Sequence, residues 1–411
     1  MSKTVNRKKW TVMVYLAGDN NLDANGVADI AEMKKTGSSE EVNIIAQFDR
    51  SGANRPTNRY YLKKGTSAQA DVVESLGEVN TGKPEFLLDF IKWGIGHFPA
   101  DRYMIVLWNH GQGWDDTDIF AGERLRDSRL LRTGRIRHAF FRTTVEKAAK
   151  LSAGNAKIAR AILIDDDARD FLDSLELKQV LLSARAFLGR KIDILGMDAC
   201  LMSMAEVGYQ MRSSIQIMVG SEETEPLDGW PYDTIMDHLV THPGITPREL
   251  SKVIVKKYIS SYKGTGESVT QSACDMAASS QFAEAVKFLG ESLTAGLSDT
   301  RIRNQILTAR NRAQEYQVSD NVDMINLCQL LKNTIVDATI NEAADRVIET
   351  IRMRKLIISS AFTGSAMKYS NGIAIYFPTR MVSPLYARLD FHRKTGWGRF
   401  LNAYINATRS Q

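Results

Sequence analysis

The sequence predicts an α/β protein: a mostly parallel central sheet with helices on its faces and a helical region appended toward the C-terminus. Three observations predict it. Short apolar, β-branched runs alternate with stretches of helical spacing through the first half of the chain. Two of those runs, Tyr103 to Trp108 and Ile192 to Met197, have the length and weak alternation of strands buried on both faces. From Thr246 onward helical periodicity dominates. The 411 residues suit one large sheet with a packed helical region. Residues 1–240 are the expected α/β core, interrupted by an insert at about 115–160. Residues 241–411 are the expected helical region, packed on the core and returning strands to it.

In chain order, Lys9 to Ala17 reads as the first strand and Gly18-Asp19-Asn20-Asn21 as a turn. Asp23 to Lys35 has helical spacing, with Leu22, Val27, Ile30 and Met33 on one face. Asp19, which on its own could also be a metal or phosphate ligand, is expected to cap this helix. Val42 to Asp49 is the next buried strand, Arg59 to Leu62 begins an edge hairpin, and Phe86 to Phe98 is an amphipathic helix leading to the strand at Tyr103. After Trp114 periodicity fails until Ala161 to Ile164, which Asp165-Asp166-Asp167 and a helix from Ser174 to Leu188 follow. The aspartate triplet lacks the alternating ligands and glycine of an EF-hand loop and reads as a solvated strand end. Ile192 to Met197 precedes Asp198-Ala199-Cys200 and a helix from Met202 to Met211. Ile217 to Ser221 is a strand ending in an acidic loop, Glu222 to Trp230. Helices follow at 246–262 and about 281–349, with a strand at Val269 to Asp275 between them, strand material at Thr363 to Pro378 and a terminal helix at Trp397 to Tyr404.

Two strand ends carry the reactive side chains. Cys200 sits where a buried strand meets a helix start, a place where α/β proteins put reactive groups and where thiolate formation is favoured. His110, between Asn109 and Gly111, ends the strand at Tyr103 in the same manner. A histidine and a thiol at one sheet edge are a base and its nucleophile.

The chain carries a net charge of +5, yet Glu123 to Arg160 alone holds eleven basic against three acidic residues. The remaining chain is therefore net acidic, and the basic pI describes an insert rather than the fold. Nucleic-acid binding is not expected of this segment, because Phe140 and Phe141 are the only aromatic residues between Glu123 and Arg160. No run reaches the length of a membrane span, and Met1 to Trp10 lacks a signal peptide's apolar segment, so a cytoplasmic protein is expected. Cys200, Cys274 and Cys328 cannot all pair and show no metal spacing, which also points to a reducing compartment.

The chain resembles the clostripain-like cysteine peptidases, of the same clan as caspases, legumains and gingipains. The resemblance rests on T-V-M-V-Y-L-A-G-D-N-N-L-D (Thr11 to Asp23), L-W-N-H-G-Q-G-W (Leu107 to Trp114), G-M-D-A-C-L-M (Gly196 to Met202), G-S-E-E-T-E-P (Gly220 to Pro226) and N-G-I-A-I-Y-F-P (Asn371 to Pro378), in the family's order across most of the chain. It implies a caspase-like three-layer α/β/α sandwich. It also implies a Cys200–His110 dyad and an oxyanion hole at the backbone N–H groups of Gly111 and Cys200. Cleavage after arginine or lysine is implied, with pocket acids mapping to Asp198 and Asp228. Glu222, Glu223 and Glu225 are rival pocket acids, Glu222 being the one placed with Asp198 and Asp228 as substrate-binding.

Relatives mature by cutting themselves between histidine and cysteine, so a zymogen cleaved within Glu123 to Arg142 is expected, with Arg124, Arg126, Arg129, Arg132, Arg135 and Arg137 as candidate positions. The insert is also a candidate dock for an activating partner. No cofactor is required by this chemistry; calcium, needed by the family's namesake, has no clear ligand set here. The alternative reading is a catalytically latent caspase-like protein that serves as a partner-regulated scaffold or defence effector.

Overall fold

The computed structural model describes residues 7–52, 54–111, 114, 163–165, 170–353 and 355–409. The chain forms two compact units that interleave in sequence. One comprises Met1–Ile192 and Pro231–Gly244, the other Asp193–Trp230 and Ile245–Gln411.

In the first unit, strand β1 (Lys8–Gly18) lies between β2 (Val42–Arg50) and, on its other side, Ala100–Trp108. Both pairings are parallel, with Thr11 opposite Asn43 and Tyr103. All of β1 beyond Lys9 is buried, as its run of apolar and β-branched residues demands of a strand covered on both faces. Strands β3 (Thr57–Tyr61) and β4 (Val72–Gly77) add antiparallel to the β2 edge, which fulfils the expected hairpin; Ala100–Trp108 is β5. The helix Pro84–His97 packs closely on this sheet at Gly94, where a Cβ would stand 2.4 Å from the Met13 sulfur and 2.9 Å from Ile45. The helix Ser174–Leu188 has the predicted span because both ends are written locally: Asp173 and Glu176 form a capping box, and Gly189 ends it in a left-handed conformation. Before it, β6 (Leu163–Asp165) and β7 (Asp170–Leu172) form a small antiparallel pair. Asp166 and Asp167 of the aspartate triplet lie outside the described residues.

The helix after β1 spans Asp23–Thr36, but its N-cap position is Leu22, not Asp19. The Leu22 N–H donates to Asn20 Oδ1 at 2.8 Å, so the asparagine organises the turn. Asp19 is drawn inward instead and is fully buried.

In the second unit, β8 (Ile192–Asp198), β9 (Ile215–Gly220), β10 (Val269–Asp275) and Ile357–Thr363 lie in that order, the last two pairings being antiparallel. A short pair of β11 (Asn321–Asp323) and Ala374–Tyr376 stands apart from them; Ile357–Thr363 is β12 and Ala374–Tyr376 is β13. The expected strand material at Thr363 to Pro378 is thus corrected. The long strand ends at Thr363, Ser365–Met367 forms a single 3-10 turn, and beyond Thr363 only Ala374–Tyr376 of the stretch are in a strand. Helices at Pro247–Tyr262, Ser279–Gly296, Thr300–Arg312, Met324–Thr334, Ala338–Arg352, Asp390–Thr395 and Trp397–Arg409 complete the unit. Among the described residues, no helix is long and apolar enough to cross a membrane.

Candidate active site

His110 follows β5 in the first unit. The turn before it is held by amides: Asn109 Nδ2 donates to the Ala17 carbonyl at 2.8 Å and Asn20 Nδ2 to the same oxygen at 2.9 Å. The imidazole is buried and stands 3.0 Å through Nε2 from Asn21 Oδ1. An amide oxygen only accepts, so Nε2 carries the proton and Nδ1 is left as the basic nitrogen. Burial pushes the imidazole down to about 3, so it rests neutral. Gly111, the expected oxyanion donor, is buried beside it.

Cys200 lies in a turn after β8 in the second unit and is half-buried. The turn is laced to the acidic loop. The Leu201 N–H donates to the Glu223 carbonyl at 3.1 Å, and the Ser203 N–H to the Ser221 carbonyl at 2.8 Å. Leu201 has φ of 61°, a left-handed conformation unfavourable to a leucine and maintained here by these contacts. The next helix begins at Ala205, three residues later than Met202, and has only seven residues. Residues 203 and 204 are held extended instead: Ser203 Oγ donates to the Gly372 carbonyl, and Met204 bridges to Ala374. The helix N-terminus is thus displaced from the thiol. In its place the Glu225 N–H donates to Cys200 Sγ at 3.2 Å. Cys274 and Cys328 are fully buried, and burial pushes the Cys274 thiol up to about 12 and that of Cys328 higher still. Of the three free cysteines, Cys200 alone is accessible.

The acids of the loop separate into distinct surroundings. Asp198 is buried at the end of β8; it accepts from the Trp230 N–H at 3.4 Å, and the backbone of Gly229 passes over its carboxylate. Glu225 has its carboxyl enclosed beside Asp198, with Gln271 Nε2 donating to Oε1 at 3.3 Å. Burial first, and then Asp198, raises the Glu225 carboxyl well above its ordinary range. Asp228 is exposed on the loop. Glu222 points into the second unit's interior, accepting from the Tyr316 hydroxyl at 2.7 Å near Asp323. Burial, then Asp323, raises Glu222 well above the usual carboxylate range, and burial brings Asp323 up to about 6. Glu223 accepts from the Gln317 N–H at 3.1 Å and is likewise raised by burial.

The second unit therefore brings Cys200, Asp198 and Glu225 together, while Asp228 and Glu222 face other surroundings. Arg124, Arg126, Arg129, Arg132, Arg135 and Arg137 lie outside the described residues. Asn21 lies in the Thr11 to Asp23 motif, which assigns it no role, and Tyr258 and Gln271 have no sequence signal as site residues, because only folding carries them to the acids. A separate group in the first unit, Asp19, Asp49 and Glu78, has carboxylate oxygens within 4.8 Å of one another and could hold a cation. Asp49 also accepts from Thr81 Oγ1 at 3.2 Å.

A model of the clostripain family matches residues 14–124 and 148–404, leaving out the most arginine-dense stretch. Clostripain of Hathewaya histolytica is 28% identical over 261 residues, covering 56% of this chain. The match spans only 42% of clostripain's own length. The fold is shared with two solved structures. One is a secreted C11 cysteine protease from Bacteroides thetaiotaomicron in complex with an irreversible peptide inhibitor: TM-score 0.64, 18% identity, covering 96% of this chain and 99% of that one. The other is an inactive zymogen C11 protease from Parabacteroides distasonis: TM-score 0.65, 20% identity, covering 95% and 99%. The α/β architecture expected from the sequence is thus the caspase-like one of these proteases.

Proposed function

The chain belongs to the clostripain family, and from that premise we propose that it is a cysteine endopeptidase that cleaves after arginine or lysine. The observation that carries this reading is the setting of Cys200: an accessible thiol at a strand end, facing a backbone N–H and flanked by buried acids. In the proposed reaction Sγ attacks the substrate carbonyl carbon as the thiol proton passes to His110. The resulting oxyanion takes the N–H groups of Gly111 and Cys200. Collapse breaks the C–N bond, with His110 returning the proton to the leaving amine. Water then cleaves the thioester, again through His110.

Asp198 is the principal pocket acid in this reading, with Asp228 at the exposed rim and Glu222 supporting the loop through Tyr316. A guanidinium forms two charge-assisted hydrogen bonds with a carboxylate, so arginine is preferred to lysine. The protein is made as a zymogen that cuts itself in the stretch bearing Arg124 to Arg137, a segment that also offers a basic dock to an activating partner. In this reading no cofactor is required, and a role for calcium has no clear ligand set beside the thiol to support it. The three free thiols support a reducing, cytoplasmic setting.

The test is hydrolysis of paired fluorogenic peptides ending in arginine, lysine or aspartate, by wild type and Cys200→Ala, with a gel of each sample. Turnover after arginine that vanishes in the variant, with fragments only in the wild type, is the expected result. An intact, silent wild-type chain that limited trypsin does not activate would overturn the peptidase reading in favour of a latent scaffold.

A further inference from the structure

β12 is the outermost strand of the second unit: β10 pairs along one side of it, and among the described residues no strand pairs along the other. The direction of its backbone groups follows from one bond. The Asp275 N–H donates to the Leu356 carbonyl at 2.7 Å, so alternation along β10 turns Ala273, Gln271 and Val269 toward β12 as well. Their partners Ser359, Ala361 and Thr363 direct their hydrogen bonds inward. Ser360 and Phe362 therefore direct theirs outward, and these two are the exposed residues of the strand.

An open edge invites another chain to pair with it, and native proteins blunt such edges with charge, proline or bulges. The outer strand of the first unit, β4, follows that rule, with Glu74 on it and two irregularities in its register. β12 has one irregularity at its start, and from Ile357 to Thr363 it carries neither charge nor proline. Its β-branched and aromatic residues suit strand pairing. The charge lies around the strand instead. Between Glu349 and Asp390 the chain holds six basic residues and no acid. Lys355 and Lys368 flank β12 within this interval, and both are exposed. The helix Pro247–Tyr262 packs along β12, with Tyr258 inward beside Glu225 and with Lys252 and Lys256 turned to solvent. The acids there are Glu249, held in the helix's capping box, and Glu267 beyond its end.

We propose that β12 is a docking edge for an extended acidic segment of a partner protein, which adds to the sheet as a further strand. The open N–H and C=O groups of Ser360 and Phe362 supply main-chain hydrogen bonds, and the Phe362 ring offers apolar surface for a side chain of the incoming strand to cover. Lys355 and Lys368 stand beyond the two ends of β12, so acidic residues along the segment are attracted and basic ones repelled. The same charge selects against a second copy of this chain. Two copies paired at β12 about a two-fold axis would bring their lysines together. Backbone pairing asks for an extended peptide, which a nucleic acid does not provide. The proposal goes beyond the peptidase reading and does not depend on it.

The probe is a short fluorescent peptide of alternating glutamate and threonine, titrated into the full chain and followed by anisotropy. Its comparisons are the same peptide with glutamine for glutamate and the same peptide N-methylated along its backbone. None contains arginine or lysine, so none is a substrate in the proposed reaction. The glutamate peptide is expected to bind saturably, and less tightly as salt rises. The glutamine peptide should bind about tenfold more weakly, and the N-methylated one, which cannot pair, should not bind. Ser360→Pro removes an outward N–H while leaving the bonds to β10, and should lower affinity about five- to tenfold at an unchanged melting temperature. Lys355→Glu combined with Lys368→Glu should abolish binding of the glutamate peptide, and decides the matter if the proline variant does not fold. Equal binding of the three peptides, equal binding by wild type and the paired lysine variant, or no saturable binding at millimolar peptide would each overturn the proposal. So would a single-stranded oligonucleotide that displaces the peptide and binds more tightly, or a dimer of the free chain, seen by sedimentation, that the peptide does not dissociate.

Discussion

The backbone N–H of Glu225 donates to the sulfur of Cys200 across 3.2 Å. This contact helps join the acidic loop to the candidate nucleophile, so movement of the loop is felt at the thiol. It also supplies the donor that the displaced helix N-terminus does not.

Native alkylation separates the three thiols. Iodoacetamide at neutral pH is expected to add once, at Cys200, because burial keeps Cys274 and Cys328 protonated and covered. Mass spectrometry of the folded protein showing early adducts at either of the other two would contradict this account of the site.

Asn21→Ala removes the acceptor from His110 Nε2. One hydrogen bond of this kind is worth about 1 kcal/mol, so kcat should fall about five- to tenfold while KM holds. A purely structural role would lower the melting temperature and leave the pH–rate profile in place. A positioning role moves the profile, and Asn21→Asp should restore part of the rate.

His110 also sets an acid limit on stability. Its folded-state value of about 3 lies below the ordinary 6.5, so the unfolded chain binds the extra proton as pH falls through that window. Stability should be lost between pH 6.5 and 3 at about 1.4 kcal/mol per unit. His110→Gln, which cannot titrate, is expected to flatten this limb in urea unfolding measured across the range.

The Glu222–Asp323 pair works in the opposite direction. Both carboxyls are raised in the folded state, so their contribution is present at low pH and lost as pH rises toward and beyond 6, where Asp323 ionises. Asp323→Asn keeps an acceptor for the Asn326 N–H that caps the helix Met324–Thr334. It should raise the melting temperature at pH 8 relative to wild type and change little at pH 4; equal shifts at both would remove the pair as the cause.

Gly229→Ala should be damaging out of proportion to its size. Gly229 has φ of 54°, and an added Cβ would stand 3.0 and 3.1 Å from the Asp198 oxygens. A cost of about 1–3 kcal/mol is expected, with KM for arginine peptides raised more than kcat is lowered. Kinetics unchanged from wild type would show that the Asp198 carboxyl is not in the substrate pocket.

The sequence by itself determined most of the elements and named the candidate reactive residues. The strand before Cys200, the strand before His110 and the helix Ser174–Leu188 lie where periodicity and capping place them, since a buried strand needs a continuous apolar run and a capping box needs only residues three apart. Tertiary structure decided everything that depends on distant partners. The helix expected from Met202 begins at Ala205 because Ser203 and Met204 are held by Gly372 and Ala374. Glu225 rather than its neighbours meets Asp198 because Thr270 Oγ1 receives the N–H groups of both Glu222 and Glu223 and fixes how the loop leaves β9. Tyr258 reaches the same place from a helix whose own pattern records only that one face is apolar. Local propensity cannot specify these contacts, because each hydrogen bond depends on a partner that only the folded chain brings within reach.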